Sequence, residues 1–380
     1  MRALTSVLFC AVAAMLAASQ ARAAYLESDY GGPTEPEVVR PRPPMPPMPP
    51  ERPWRTDNEV RRLLSRVTVG EPYAYRGLAV YPLYARGLSD TGYLTLDEAV
   101  ARGVLVITEY ADAAVGRVWA ENRSRSAILI MQGEGLSGGR QNRIVGEDVL
   151  LAPGSSSYIP VYCMEERRWT GRAEMDSAKM LAPESLRRSA AAGAAQRDVW
   201  AGVERALEAA GARSETRDLT AAMSSKAARD HASDYVERFR GIPRTGLAGV
   251  AVARWGRVTS IDIFGSEHLA REHWDGIIGS SSFELMGLRE WSRVPPHPGT
   301  EDVRAILSAA LDARMTRVAA PGSGERVVIS GADVSGSACV WSGEAVHVSI
   351  WGSRPVAVPM PEPPRFVPRP VPQPPDWGVE

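Results

Sequence analysis

The sequence predicts an α+β body held between two extended proline-rich segments. Three observations carry this reading. Ten of the 30 prolines fall in Pro33 to Pro53 and ten more in Pro355 to Pro375. Runs such as Pro41-Arg42-Pro43-Pro44 cannot build a hydrogen-bonded ladder and favour polyproline II, a semi-rigid spacer. Between them, apolar residues recur at strand spacing in the first half and at helical spacing in the middle. Strands and helices are also clustered rather than regularly alternating, which favours α+β over a doubly wound sheet.

The expected organisation is a signal peptide at 1–23, a proline-rich linker at 24–70, one compact body at 71–353 and a proline-rich disordered tail at 354–380. In the body, Ala79 to Leu83 reads as an edge strand, because Pro82 is tolerated there. Thr95-Leu96-Asp97-Glu98 has capping-box spacing, and Gly103 can end the short helix it starts. Strands are expected at Val104 to Tyr110, Val118 to Glu121, Ala127 to Met131, Val149 to Leu151 and Tyr158 to Tyr162. Helical spacing marks Val199, Trp200, Val203, Ala206 and Leu207, and again Ala232, Tyr235, Val236 and Phe239. Gly246 to Ala253 and Val258 to Phe264 form a hairpin about Trp255-Gly256. Two helices follow, through Ala270, Trp274, Ile277 and Ile278, then through Val303, Ile306, Leu307, Ala310 and Leu311. Strands near Arg326 to Ser330, Ser337 to Trp341 and Ala345 to Trp351 close the body, with a turn at Ser342-Gly343.

The first 23 residues read as a cleavable export signal: Arg2, an apolar run from Leu4 to Ala18, and Ala21-Arg22-Ala23. The run is short for a span of ~20 residues. Cys10 follows Leu8 and Phe9 rather than the small residues that lipidation requires. The chain is therefore expected to be exported, periplasmic or extracellular, with no transmembrane segment once processed. Its formal charge is −1, from 44 basic and 45 acidic residues. Removing Arg2 and Arg22 leaves 42 against 45, or −3. No block of Lys or Arg marks a polyanion groove, which argues against nucleic acid as a partner. Only Cys163 and Cys339 remain after cleavage, too few for a disulfide framework.

Several motifs fail on context. Gly133-Glu134-Gly135-Leu136-Ser137-Gly138 spells G-x-G-x-x-G, but no amphipathic helix follows to meet a pyrophosphate. Gly135 to Gly139 spells G-x-S-x-G with the same helix missing, and all five histidines lie after Ser137. His268 and His273 lie about 140° apart on a helix, not on one metal-binding face. They read as helix-surface residues, and neither a metal nor a cofactor is expected. What remains is Glu134, Arg140, Gln141, Asn142 and Arg143 in a glycine-rich loop, with Glu165, Arg168 and Trp169 in a second cluster. Arginine forks and a side-chain amide suit phosphate, carboxylate or ribose. The same side chains can instead cap loop backbone and pair Glu134 with an arginine, Arg143 being the candidate.

These clusters resemble a bacterial family, the ARG-and-rhodanese-phosphatase-superfamily-associated protein domain (ARPP). Its pattern is G-E-x-L-x-G-x-x-Q-N-R, then I-P-V-x-C-x-E and R-W. It stands here as Gly133 to Arg143, Ile159-Pro160-Val161-Tyr162-Cys163-Met164-Glu165 and Arg168-Trp169. Gln196 to Trp200, Ser260 to Gly265, Val334 to Ala338 and Val346 to Ser349 are similar to later parts of that domain. The resemblance covers most of Tyr73 to Trp351. Gly135, Arg167 and Cys339 depart from it, Gly135 standing where a second acidic residue is expected. The resemblance implies a globular α+β domain associated by context with ADP-ribose-type and phosphatase proteins. Two functions follow as expectations. One is a non-catalytic binding or interaction module of the cell envelope. The other is an enzyme or sensor for a phosphate- or ribose-containing anion, working through Glu134, Gln141, Asn142 and Arg143.

Overall fold

The computed structural model describes residues 58–89, 92–109, 116–287 and 295–352. The expected signal peptide, the C-terminal tail and most of the N-terminal linker lie outside them. The last part of that linker does not. Helix α1 (Glu59–Ser65) starts at Asn58, whose side chain accepts from the Arg61 amide, and it buries Val60, Leu63 and Leu64. The folded body therefore begins before Glu71, because the helix has an apolar face that the sheet can bury.

Two β systems organise the body. The first is a closed barrel of six strands: β5 (Leu105–Thr108), β6 (Arg117–Asn122), β8 (Glu134–Gly138), β9 (Arg143–Val145), β11 (Ser156–Cys163) and β12 (Glu174–Leu181). Alternation sets its inside: Val118 and Ala120 of β6, and Ile159 and Val161 of β11, face the core, while Trp119 and Tyr158 do not. The glycine-rich stretch expected as a loop is thus largely strand β8, paired with β9 through Leu136 and Arg143. Helix α2 (Leu96–Ala101), with its capping box at Thr95 and Glu98, contributes Leu96 and Ala99 to the same core.

The second system is a nine-stranded sheet. It contains β1 (Thr68–Val69), β2 (Tyr73–Tyr75), β3 (Leu78–Tyr84), β13 (Leu247–Arg254), β14 (Arg257–Phe264), β15 (Arg314–Ala319), β16 (Glu325–Ser330), β17 (Val334–Trp341) and β18 (Glu344–Gly352). The strand through Pro82 is not an edge. It lies between β13 and the short pair β1 and β2. Proline is accommodated because β1 ends at Val69 and β2 begins at Tyr73, so no ladder partner needs a donor from Pro82. The turns at Trp255-Gly256 and Ser342-Gly343 have positive φ at both residues, which matches strand twist in a two-residue hairpin.

Both faces of this sheet are covered. On one, α1 and α8 (Thr300–Asp312) bury Val60, Leu63, Val303 and Leu307 against Ala79, Tyr81, Ile261 and Val348. On the other lie α6 (Lys226–Arg238) and α7 (Glu267–Phe283), packing Tyr235, Trp274 and Ile277 against Val80, Val250 and Val252. A three-stranded sheet, β4 (Leu94–Thr95), β7 (Ile128–Ile130) and β10 (Val149–Leu151), joins the two systems. Ile128 and Ile130 face the barrel core while Leu129 faces the large sheet. Helices α3 (Glu184–Ala191), α4 (Gln196–Ala210) and α5 (Leu219–Met223) pack around Ile144 and Met164 at the barrel's flank. Among the described residues, no helix is long and apolar enough to cross a membrane.

Candidate functional site

The Q-N-R, C-x-E and R-W residues meet at one mouth of the barrel. Strand β9 begins at Arg143 and pairs with Cys163, the last residue of β11. Arg143, only 2% exposed, donates to Glu109 at 2.8 Å and to the Gln141 amide oxygen at 3.2 Å, and it touches the Cys163 sulfur. Its partner is therefore Glu109, at the end of β5, and not Glu134. Glu109 also accepts from the Arg140 backbone at 2.9 Å. One carboxylate thus closes the turn and answers the guanidinium.

The neighbouring loop is bonded into the same cluster. Arg168 donates to Glu165 at 2.7 Å, to the Asn142 oxygen at 3.1 Å, and to the carbonyls of Gly138, Gly139 and Thr170. Glu165 accepts from the Asn142 amide at 3.2 Å, and Asn142 donates to Asp218 at 2.9 Å. Gln141 donates to the Glu166 carbonyl at 3.3 Å. Gln196, first residue of α4, clamps Cys163 from both sides, accepting from its amide and donating to its carbonyl. Gly171 permits the approach: a Cβ there would lie 1.9 Å from the Gly139 carbonyl oxygen.

The electrostatics match a bonded cluster. Burial pushes the Glu165 carboxyl up, but Arg168, Thr216 and the Asn142 amide outweigh it and hold it below the usual range. Burial raises Asp218, and hydrogen bonds from Thr220 and Asn142 do not offset it. Burial also raises the Cys163 thiol, against the pull of Arg143, so Cys163 is not an activated nucleophile. Cys163 and Cys339 are both free and buried.

Outward from the cluster stands Trp169, 46% exposed, with the guanidinium carbons of Arg140 and Arg143 each 5.9 Å from its ring centroid. An open hollow of about 640 Å³ is lined by Ser137, Gly138, Arg172, Glu174, Met175 and Asp176. Two acids and one arginine do not make an anion cradle.

Glu134 belongs elsewhere. It accepts from the Met131 amide at 2.7 Å and lies 3.6 Å from His273 Nε2. Burial, opposed by His273, raises its carboxyl. His273 is not a surface residue as expected: it is buried and stacks on Phe264 at 5.0 Å. On the other face of Phe264 stacks His347, at 4.6 Å. His347 Nδ1 is 2.7 Å from Asp148, and Nε2 is 3.3 Å from Asp262, close enough for charge attraction though not aligned as a hydrogen bond. Arg187 grips both oxygens of Asp262, at 2.8 and 3.4 Å. Arg187, Asp262 and His347 are all fully buried. Among the described residues, no group of three or more His, Cys, Asp or Glu could hold a metal ion.

Three participants escaped the sequence reading: Glu109, Asp218 and the Arg187–Asp262–His347–Asp148 chain. Glu109 lies within the expected strand Val104 to Tyr110, which was a usable signal. The others join segments more than 70 residues apart, and spacing carries no trace of them.

No curated protein and no solved structure matches the chain. The family model described as the ARG and Rhodanese-Phosphatase-superfamily-associated Protein domain matches residues 66–351, a span that runs from the end of α1 to the last strand and takes in the whole barrel-mouth cluster. The chain belongs to that family.

Proposed function

We propose that this chain is an exported, non-catalytic binding or interaction module of the cell envelope. The observation that carries the reading is the bonding within the barrel-mouth cluster. Arg143, Arg168, Glu165, Gln141 and Asn142 each bond partners within the protein. Glu134 faces His273 instead. Arg143 is engaged through both terminal nitrogens, and its unpartnered Nε is buried, so this fork presents little to a phosphate or ribose. Trp169, which the cluster holds outward beside Arg140, offers contact area instead. Tryptophan and arginine are the residue types that dominate binding hot spots. The signal-like start and the proline-rich flanks support export and tethering.

The test has two arms. Protein produced with its own leader should be recovered outside the cytoplasm with Ala24 as its first residue, and should co-sediment with isolated envelope fractions. Trp169→Ala should weaken co-sedimentation without lowering the melting temperature. In the second arm, ADP-ribose, nucleotides and sugar phosphates should leave the melting temperature unchanged. A ligand at 100 times its dissociation constant would add about 2.7 kcal/mol. A clear shift of that kind, lost in Arg143→Ala, would overturn the reading in favour of an anion-binding enzyme or sensor.

A further inference from the structure

A second concavity, remote in character from the barrel mouth, has the chemistry of a ligand site. It is a groove of about 540 Å³ between α6, α7 and β12, within the 300–1,000 Å³ range of small-molecule sites. Its walls are apolar: Met180 and Leu181 of β12, Met223 at the end of α5, Ala228 and Ala232 of α6, and Phe283 of α7. The lining also holds Ser233 and the buried Ser280, whose Oγ already donates to the Ala182 carbonyl at 2.6 Å.

Two features make the groove what it is. Its lining includes Gly276 and Gly279, both in the interior of α7. Glycine inside a helix costs about 1 kcal/mol against alanine, and tight packing normally explains it. Here it does not: a Cβ on either residue would meet nothing closer than 3.8 Å. At Gly202 of α4, by contrast, a Cβ would lie 2.3 Å from Leu186. The α7 glycines hold space open rather than permit contact.

The other feature is Lys179. Strand β12 pairs with β8 through Met175 to Ser177 and again at Leu181, with a register shift between. Lys179 sits in that irregularity with φ of 50°, a conformation costly for a residue with a side chain. Its backbone amide donates to Ser177 Oγ at 2.9 Å. The side chain reaches the groove rim, and its ammonium has no carboxylate partner among the described residues. Arg229 adds a second rim cation, while Asp230 is answered by Lys226. The rim is therefore net positive over an apolar trough.

We propose that this groove binds a single-chain amphiphile with an anionic head, of the fatty-acid class. The alkyl chain lies against Met180, Met223 and Phe283, where flexible methionines adapt to its shape. The carboxylate meets Lys179. A nucleotide is poorly served, because the groove offers no exposed aromatic face and no arginine fork aimed inward. This site shares no residue with the Trp169 face, so either proposal can fail alone.

The test uses the full mature protein and dodecanoate as probe, followed by titration calorimetry. We expect saturable one-to-one binding below the concentration at which dodecanoate forms micelles, with a negative heat-capacity change. Dodecyltrimethylammonium, with the same chain and opposite charge, should bind at least tenfold more weakly. Lys179→Gly removes the ammonium and relieves the positive φ, so it should fold at least as well and lose at least tenfold in affinity. Gly279→Leu should fill the trough and abolish binding with the melting temperature kept. Absence of saturable binding overturns the proposal. So does equal binding of the cationic amphiphile, or unchanged affinity in both variants.

Discussion

The buried charge chain makes a pH prediction whose sign can be worked out from its geometry. His347 lies between two carboxylates, with Nδ1 2.7 Å from Asp148 and Nε2 3.3 Å from Asp262. Burial by itself lowers the pKa of an imidazole, but Asp148, the hydrogen bond to it, and Asp262 outweigh that and raise His347 from 6.5 to about 9. A group whose pKa is raised on folding adds stability that is complete below its unfolded value, near 6.5. That contribution disappears as pH rises through the folded value, near 9. Moving from 6.5 to about 9 corresponds to roughly 3 kcal/mol. For Asp148 the sign is opposite: burial raises it, His347 outweighs burial, and its carboxyl is held low. Asp262 is held well below the carboxylate range in the same way, burial being overcome by Arg187 and His347. Both contribute stability above the unfolded value near 3.9, and both lose it as pH falls further.

The expected outcome is a stability that declines between pH 6.5 and 9 by about 3 kcal/mol. Urea unfolding at half-unit pH steps measures it. His347→Gln should remove this decline, while being less stable than the parent at pH 6, because the two carboxylates lose their cation. The ring can also be watched directly by NMR, with His347→Gln assigning its resonance. An imidazole that titrates near 6.5 in the folded protein, or a parent stability flat from pH 6.5 to 9, would refute the assignment of His347 as a buried cation.

Three further outcomes are expected. Arg143→Ala leaves Glu109 buried without its cation and should cost about 3 kcal/mol or more; equilibrium unfolding showing a loss under about 0.5 kcal/mol would make Arg143 an ordinary surface residue. A chain cut to 71–353 loses α1 with Val60, Leu63 and Leu64, so at about 1.5–3 kcal/mol per buried side chain it should melt well below the full chain; coincident melting curves would show that α1 adds nothing. Gly133→Ala places a Cβ 2.4 Å from the Arg187 side chain at a φ of 90°, which should destabilise the protein by several kcal/mol through both strain and a displaced Arg187; a variant with unchanged unfolding midpoint would contradict the packing described.

Much of the fold was legible because its longer elements have clear periods. The apolar faces of α4, α6, α7 and α8 read directly from helical spacing, and β13, β14, β17 and β18 read as short apolar-rich runs bounded by turns. The capping box at Thr95 was legible for the same reason, being a local device. The elements that did not read lack such a signal. Strand β8 is Glu134-Gly-Leu-Ser-Gly, whose composition favours a turn, and only closure of the barrel makes it a strand. Helix α1 is short and follows a proline-rich run, so composition assigned it to the linker. Asp262 and His347 sit in strands that otherwise read as apolar. They are tolerated there because each is answered by a charge from a different layer: Arg187 from α3 and Asp148 from the loop before β10.

The candidate site shows the same limit in sharper form. Glu134 and Arg143 flank one tight hairpin, and pairing them was the economical expectation. The register of β8 on β9 sets Leu136 directly opposite Arg143 and places Glu134 two residues further along. Side chains two apart share a face and stand about 7 Å apart along the strand. Both charges therefore lie on the inward face of the hairpin. Leu136 and Val145 fill the barrel interior there, and the two charges fall toward its opposite ends. An apolar plug separates them, and neither can desolvate against the other. Each must be answered where it emerges: Arg143 by Glu109 at one end, Glu134 by His273 and the Met131 amide at the other. The sequence carries the two charges and the hydrophobic residues between them, but the face each one shares with its partner is decided by the closed barrel.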